Sequence, residues 1–282
     1  MTQNASSSSL ADLRAEIDRI DETMHRLLME RSEIIDRLVA VKRGASEGSA
    51  FRPAREADMM RRLVERHHGL LPLDTVESIW RVIIATFTYV QAPYSVHADL
   101  AVGEPAMRDS ARFHFGFTVP FVPHMSAGAV IDAVAASTGD LGLLPAATSG
   151  GMAWWSALEG EGAPKIIARL PFVERADHPA GLPVFVVSHP INDAAVREVE
   201  LYALRVTGWG AAAARAMPAC MDMLLAADAA LDGAALLLSV PPGHKVDEAV
   251  DALKGAGVSL RSVAHVGSHA ATHRVEVTDG AA

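Results

Sequence analysis

The chain has 282 residues, 50% of them apolar, and a formal net charge of -9 from 34 Asp and Glu against 25 Lys and Arg. That length and apolar content suffice for one large or two ordinary domains with a buried core, and an acidic balance without a long basic run argues against nucleic acid or an anionic membrane surface as partner. Cys220 is the single cysteine, so no intrachain disulfide is available. No apolar stretch reaches the roughly 18 residues of a membrane span. The first residues lack the basic and apolar regions of a signal peptide, and the expected location is the cytoplasm.

The first predicted element is a long helix. Leu13, Ile17, Ile20, Met24, Leu27, Arg31, Ile34, Leu38 and Val41 follow a 4-3-4-3 spacing, the seam of a coiled-coil-like helix. Such a helix, roughly 50 Å long at about 1.5 Å per residue, outreaches a compact domain of this size, so its seam is expected to be buried against a second chain. Gly44 to Gly48 interrupts the pattern, and Phe51-Arg52-Pro53 restarts it with Pro53 in a first turn and Glu56 near the positive helix end. This predicts a second helix from Pro53 to about His68. A break at Gly69 to Pro72 follows, then a third helix with Asp74 as N-cap and Val76, Ile79, Trp80, Ile83, Ile84, Phe87, Val90 and Tyr94 as its apolar positions.

After Tyr94 the composition shifts to short Val, Ala and Leu runs between Gly and Pro, which sets a domain boundary at 95/96. Candidate strands at Asp99 to Val102, Leu141 to Leu144, Lys165 to Ala168, Val184 to Ser188 and Ala235 to Val240 alternate with helical stretches at Ala127 to Ala136 and Val246 to Gly255. Residues 1–95 therefore read as an all-α three-helix domain and residues 96–282 as an α/β domain.

Arg31 occupies a seam position where the spacing calls for Leu or Ile, and a buried guanidinium needs an anion. Without other information it could pair with a Glu of a neighbouring helix or reach along the surface to water. Lys42, eleven residues on, falls within about 20° of the same helix face, whereas Arg14 points about 100° away. Taken singly, Lys42 reads as a cation at a helix C-terminus, Glu56 as a first-turn carboxylate and Gln91 as a residue closing a network at a helix end.

These residues occur together in a recognisable order. Leu13-Arg14-Ala15-Glu16-Ile17-Asp18, then Leu27-Leu28-Met29-Glu30-Arg31, Lys42, Arg55-Glu56 and Gln91 resemble the all-helical chorismate mutases over about 80 residues. The resemblance implies an intertwined homodimer and conversion of chorismate to prephenate, in the biosynthesis of phenylalanine and tyrosine. That rearrangement is unimolecular and requires no nucleophile, metal or cofactor, so catalysis rests on holding a compact conformer and stabilising charge as the ether bond breaks. The resemblance further implies that Arg31 and the partner chain's copy of Arg14 bind the two carboxylates. Lys42 and Gln91 would donate to the ether oxygen, Glu56 would accept from the ring hydroxyl, and Arg55 would add a cationic contact. Three positions depart from the family: the loop between Lys42 and Arg55 is one residue longer, Arg52 stands where Asp is common and joins the substrate-binding candidates, and Phe87 stands where some members carry Ser.

The second part resembles the first lobe of prephenate dehydratases, a two-lobed α/β architecture like that of periplasmic binding proteins. Phe115-Gly116, Val134, Gly139-Asp140-Leu141-Gly142-Leu143-Leu144-Pro145, Ser149 and Leu158 carry that resemblance. The polar residues of the family are largely replaced: Ala147-Thr148-Ser149 stands for its Glu-Asn-Ser, and Pro183-Val184-Phe185 for its Thr-Arg-Phe. A dehydratase needs a proton donor for the leaving hydroxyl and cations for the carboxylates, so the expectation is a domain without that activity. Val246 to Val277 resembles an amino-acid-sensing ACT domain, which makes an aromatic amino acid a candidate effector. The alternatives are a bifunctional mutase and dehydratase, or an inactive mutase-like regulatory or interaction module.

Two further patterns are read as incidental. His265, His269 and His273 recur every four residues like a metal-ligand row, but Gly267 interrupts them and Val275 and Val277 continue as a strand. Gly208-Trp209-Gly210 is an incomplete dinucleotide-loop pattern.

Overall fold

The computed structural model describes residues 9–42, 49–101, 103–146, 152–191, 198–228 and 233–275. Two compact units divide the chain, Met1–Ser46 and Glu47–Ala282.

The described residues of the first unit form one helix, α1 (Leu10–Lys42), of 33 residues. Ser9 caps it: its hydroxyl accepts from the Asp12 backbone N–H at 3.1 Å, while the Asp12 carboxylate accepts from the Ser9 backbone N–H at 2.9 Å. This reciprocal box satisfies two otherwise open groups at the helix start, and the Ser9 hydrogen bonds hold the Asp12 carboxyl below its ordinary range. The seam lies along an open face, with Ile17, Met24, Leu27 and Ile34 each about half exposed or more. The Gly44 to Gly48 loop lies outside the described residues.

In the second unit, α2 (Pro53–Arg66) starts at the proline and buries Pro53, Glu56, Met60 and Leu63 along one stripe. Its end at Arg66, two residues before the expected one, comes where His67 turns extended. α3 (Leu73–Gln91) begins after Pro72, so Asp74 lies in the first turn and is not the N-cap. Its buried face is Glu77, Arg81, Ile84, Ala85 and Thr88. The buried face is rotated from the expected one only in part: Ile84 and Tyr94 lie in the core and Val76 and Trp80 pack against it, whereas Ile79 and Val90 are exposed.

Both helices pack onto the α/β part, α2 against β4 (Lys165–Leu170) and α3 against α4 (Glu104–Phe115). Phe51, Met60, Leu63, Ile84 and Tyr94 share one core with Val96, Met107, Phe115 and Leu143. For this reason the compact units meet at 46/47, whereas the compositional boundary falls at 95/96.

Among the described residues, nine strands join in one sheet. The first half contains β1 (Val96–Asp99) between β2 (Phe121–His124) and β3 (Leu141–Pro145), both parallel to it. β6 (Val184–Ser188) then runs antiparallel to β3 and to β4. The short β5 (Val173–Glu174) pairs with β11 (His273–Arg274) in a separate two-stranded sheet. α5 (Ala127–Ala136), N-capped by Ser126, packs on the face opposite α4. A Cβ at Gly142 would stand 2.7 Å from the side chains of both Val130 and Val187, so the glycine in the Asp140 motif is what lets α5 settle on β3.

The second half has β7 (Val199–Thr207), α6 (Ala211–Ala216), β8 (Asp222–Asp228), β9 (Gly233–Val240), α7 (Val246–Gly255) and β10 (Ser259–His269). Its strand order β10-β7-β9-β8 is antiparallel throughout, the βαββαβ arrangement of ferredoxin-like folds. The α/β part thus comprises two halves of one continuous sheet. They join where β10 runs parallel to β4 at Gly267 and Ile166. Gly267 has φ +144°, and a Cβ there would lie 2.1 Å from the Ile166 carbonyl oxygen, so only glycine permits this junction.

Candidate functional site

The sequence-derived site residues fall into both units. On α1, Arg14 is exposed and Arg31 half-buried. Lys42 is the last residue of the helix, and its side chain lies outside the described residues.

On the second unit, Arg52 precedes α2 and donates to the backbone oxygens of Ser49 at 2.7 Å and Phe51 at 3.0 Å, which ties down the turn that starts the helix. Arg55 is exposed in the first turn. Gln91, half-buried at the end of α3, donates from Nε2 to the Phe87 carbonyl at 3.0 Å, one turn back on the same helix.

Glu56 differs from its expected role. Its carboxylate is 4% exposed and accepts from Nη1 of Arg81 at 2.6 Å. A carboxylate that is to accept from a substrate hydroxyl must face a ligand; this one faces the protein. Burial raises its pKa, and the Arg81 guanidinium opposes that rise.

Around this pair lies a polar cluster that the local pattern did not reveal. Arg81 is 0% exposed, donates from Nη2 to the His114 carbonyl at 3.1 Å and stands 5.1 Å above the Phe172 ring. Nε2 of His178 lies 3.3 Å from Glu77, one turn before Arg81. Because Nδ1 of His178 accepts from the Ala180 backbone N–H at 3.0 Å, a proton on the ring sits on Nε2, toward Glu77. The His114 ring stacks on that of His178 with centroids 6.1 Å apart, and among the described residues neither of its nitrogens has a hydrogen-bond partner. Burial, with Arg81 and His178 beside it, holds the His114 pKa well below the ordinary imidazole range. The Tyr94 pKa is raised, first by burial and then by Glu56. The one local signal was the i, i+4 pair Glu77 and Arg81 amid apolar residues.

A second arrangement explains Asp140. Its carboxylate accepts from the Ser95 backbone N–H at 2.7 Å and from Nε2 of His97 at 3.0 Å. Nδ1 of His97 is then left as the acceptor for Nε2 of His124, 2.9 Å away. Asp140 thereby ties the start of β1 to the start of β3. The dehydratase-like Ala147-Thr148-Ser149 stretch lies outside the described residues, as does Val277. Pro183-Val184-Phe185 leads into β6, with Val184 and Phe185 both buried in the core.

The histidine row does not form a ligand set. His265 pairs with Glu200 across to β7, His269 is buried at the end of β10, and His273 lies in β11. Among the described residues no group of three potential ligands could hold a metal ion, and no helix is long and apolar enough to cross a membrane. Gly208 to Gly210 is a turn before the six-residue α6.

Residues 13–92 match the family described as chorismate mutase type II. A bifunctional chorismate mutase/prephenate dehydratase of Pseudomonas aeruginosa is 29% identical over 149 residues, 51% of this chain and 40% of that protein. A protein of the same description from Aquifex aeolicus is 29% identical over 140 residues, covering 48% of this chain and 38% of its own length. The matches thus span about two fifths of these relatives' length. Among solved structures, one described as GqqA, a novel type of quorum quenching acylase, has a TM-score of 0.41 and 15% identity, over 63% of this chain and 95% of that one. A prephenate dehydratase from Streptococcus mutans has a TM-score of 0.37 and 12% identity, over 64% and 99%. The matched segment contains Arg14, Arg31, Lys42, Arg52, Arg55, Glu56 and Gln91, so the N-terminal part of this chain is similar to chorismate mutase type II domains.

Proposed function

We propose that this protein is a chorismate mutase acting in the cytoplasm as a homodimer, with chorismate as substrate and prephenate as product. The observation that carries the reading is the family match over residues 13–92, which spans every sequence-derived site residue. Chorismate presents two carboxylates and an ether oxygen that gains negative charge as its bond breaks. Arg31 and a partner's Arg14 serve the carboxylates; Lys42 and Gln91 serve the ether oxygen. Arg55 and Arg52 add positive potential at the start of α2. Glu56 enters as a positioning residue, because its bond to Arg81 fixes α2 against α3 just inside those two arginines.

Dimerisation through α1 is part of the proposal, supported by the open apolar seam of that helix. The second part is proposed to be non-catalytic, in line with the replaced Thr-Arg-Phe triplet. Its βαββαβ half supports the expectation of phenylalanine or tyrosine as effector. The bifunctional alternative rests on the bifunctional relatives.

The test is loss of chorismate absorbance with purified protein, then with Arg31→Ala and Lys42→Ala. Each substitution is expected to lower kcat/KM by about 100-fold or more; unchanged rates would refute the assignments. Prephenate supplied alone separates the alternatives: release of phenylpyruvate would establish the bifunctional reading.

A further inference from the structure

The first half of the sheet ends at β2, which among the described strands pairs with β1 alone. Its hold is weak, because the strand has four residues and Pro123, the third of them, has no N–H to give to a ladder. Two backbone bonds flank the pairing, from the Val96 N–H to the Pro120 carbonyl at 2.8 Å and from the Leu100 N–H to the His124 carbonyl at 2.9 Å. A side-chain link reinforces it: the bond between the imidazoles of His97 on β1 and His124 on β2.

That link depends on how many protons it holds. An ionised Asp140 can only accept, so Nε2 of His97, 3.0 Å away, carries a hydrogen. Nδ1 of His97 is then bare and accepts the Nε2–H of His124 across 2.9 Å, which leaves Nδ1 of His124 as the next basic atom. A first proton placed there keeps the bond, because the imidazolium still donates from Nε2, and the Asp140 carboxylate on the far side of His97 balances its charge. A second proton must go to Nδ1 of His97. Two N–H groups then point at each other with ring centroids 5.1 Å apart, and attraction gives way to repulsion between two cations.

Few other charges face the pair. Asp99, 5% exposed, lies beside His124 in the register and already accepts from the Ala101 N–H at 2.9 Å. Gly142, the neighbour of His97 on β3, faces Val130 and Val134, so His97 lies on the α5 side of the sheet. α5 carries one titratable residue, Asp132, which is exposed, and β3 carries none. His189 bonds through Nε2 to the Ser137 carbonyl at 2.9 Å, three residues before Asp140. Burial and the neighbouring His97 hold the His124 pKa below the ordinary imidazole range, against the opposing pull of Asp99.

We propose that His97 and His124 form an acid-operated latch: the pair takes up one proton with its link intact, and a second proton parts the rings and releases the β2 edge together with the turn into α5. The latch is closed at neutral pH and opens below the ordinary imidazole range. It does not rest on the mutase reading: absence of chorismate turnover would leave it standing, and its own failure would leave that reading intact.

The experiment is hydrogen exchange of the full chain, read by mass spectrometry at about pH 7.5 and about pH 5.0 and corrected for the intrinsic pH dependence of amide exchange. The amides of Leu100, Val122, His124 and Met125 are expected to gain about tenfold or more in exchange at the lower pH, relative to those of β9 inside the sheet. His124→Gln keeps the link at either pH, since its amide turns its NH2 or its oxygen toward His97 and takes no proton; the acid effect should vanish. His124→Ala has no link and should exchange fast at both. Histidine-ring NMR reads the wild-type chain directly, where the two rings are expected to titrate in two steps about one pH unit apart or more. No gain in acid, a gain shared equally by β9 or retained in His124→Gln, or a single common step for both rings would overturn the proposal.

Discussion

Arg81 shows what a single buried charge demands of its neighbours. A guanidinium withdrawn from water costs several kcal/mol unless its hydrogen bonds and its charge are matched; here the match comes from Glu56, the His114 carbonyl and the Phe172 ring. Glu56→Ala removes the counter-ion and leaves the cation in place. The expected loss is about 3–5 kcal/mol of unfolding free energy, read from urea melts, and the Glu56→Ala, Arg81→Met double variant should recover much of it. A single-variant loss below about 1 kcal/mol would show that Glu56 does not hold this helix pair together. This role was not readable from the chain, because the partners of Arg81 and Glu77 come from α4 and from the segment after β5, far away in sequence. Arg31 was readable, since a charge in an apolar seam needs only local spacing to be noticed.

Among the elements, α1 and α2 follow their patterns closely. The 4-3-4-3 seam matches Leu10–Lys42, and Pro53 opens α2. α3 exists where expected, but its buried face is rotated to take in Glu77 and Arg81, so that Ile79 and Val90 of the expected stripe stay outside while Ile84 and Tyr94 remain in the core. Periodicity reports which side is apolar; it cannot report that a distant His178 and His114 make a charged side the better one to bury. The strands at Val184–Ser188 and Leu141–Pro145 were legible from their β-branched and leucine runs. β7, β8 and β10 were not, as half-exposed strands with interleaved polar residues give a weaker signal. At this scale the open seam of α1 makes a prediction. Leu27→Glu places a like charge on the seam next to itself in an antiparallel or parallel pairing alike, and should shift the protein from dimer to monomer in sedimentation velocity. A dimer of unchanged strength would place the association elsewhere.

For the whole molecule, the buried imidazoles set a pH dependence. His269 and His114 stay neutral in the native state well below the ordinary 6.5, whereas the unfolded chain protonates both near that value. Their contribution is therefore complete above pH 6.5 and declines as the pH falls toward about 4, where His269 itself titrates. Each imidazole lowers stability by about 1.4 kcal/mol per pH unit through that window. The raised Glu56 carboxyl acts with the opposite sign, favouring the native state as the pH falls toward its ordinary 4.5. Denaturant midpoints should nonetheless drop between pH 6.5 and 4.5, and His114→Leu should flatten that drop; an equal slope in the variant would refute the role of His114.

Gly267 carries a mechanical consequence. Two lobes joined by flexible strands can close on a ligand like jaws, but two halves sharing a backbone ladder cannot. Here the shared rung is a single pairing, Gly267 with Ile166. Any signal that passes from one half to the other must cross it as a change of twist or as a local loosening of that rung. The amide protons flanking Gly267 are thus the natural gauge of communication within the molecule, and a side chain as small as a methyl group at this position would act as a wedge.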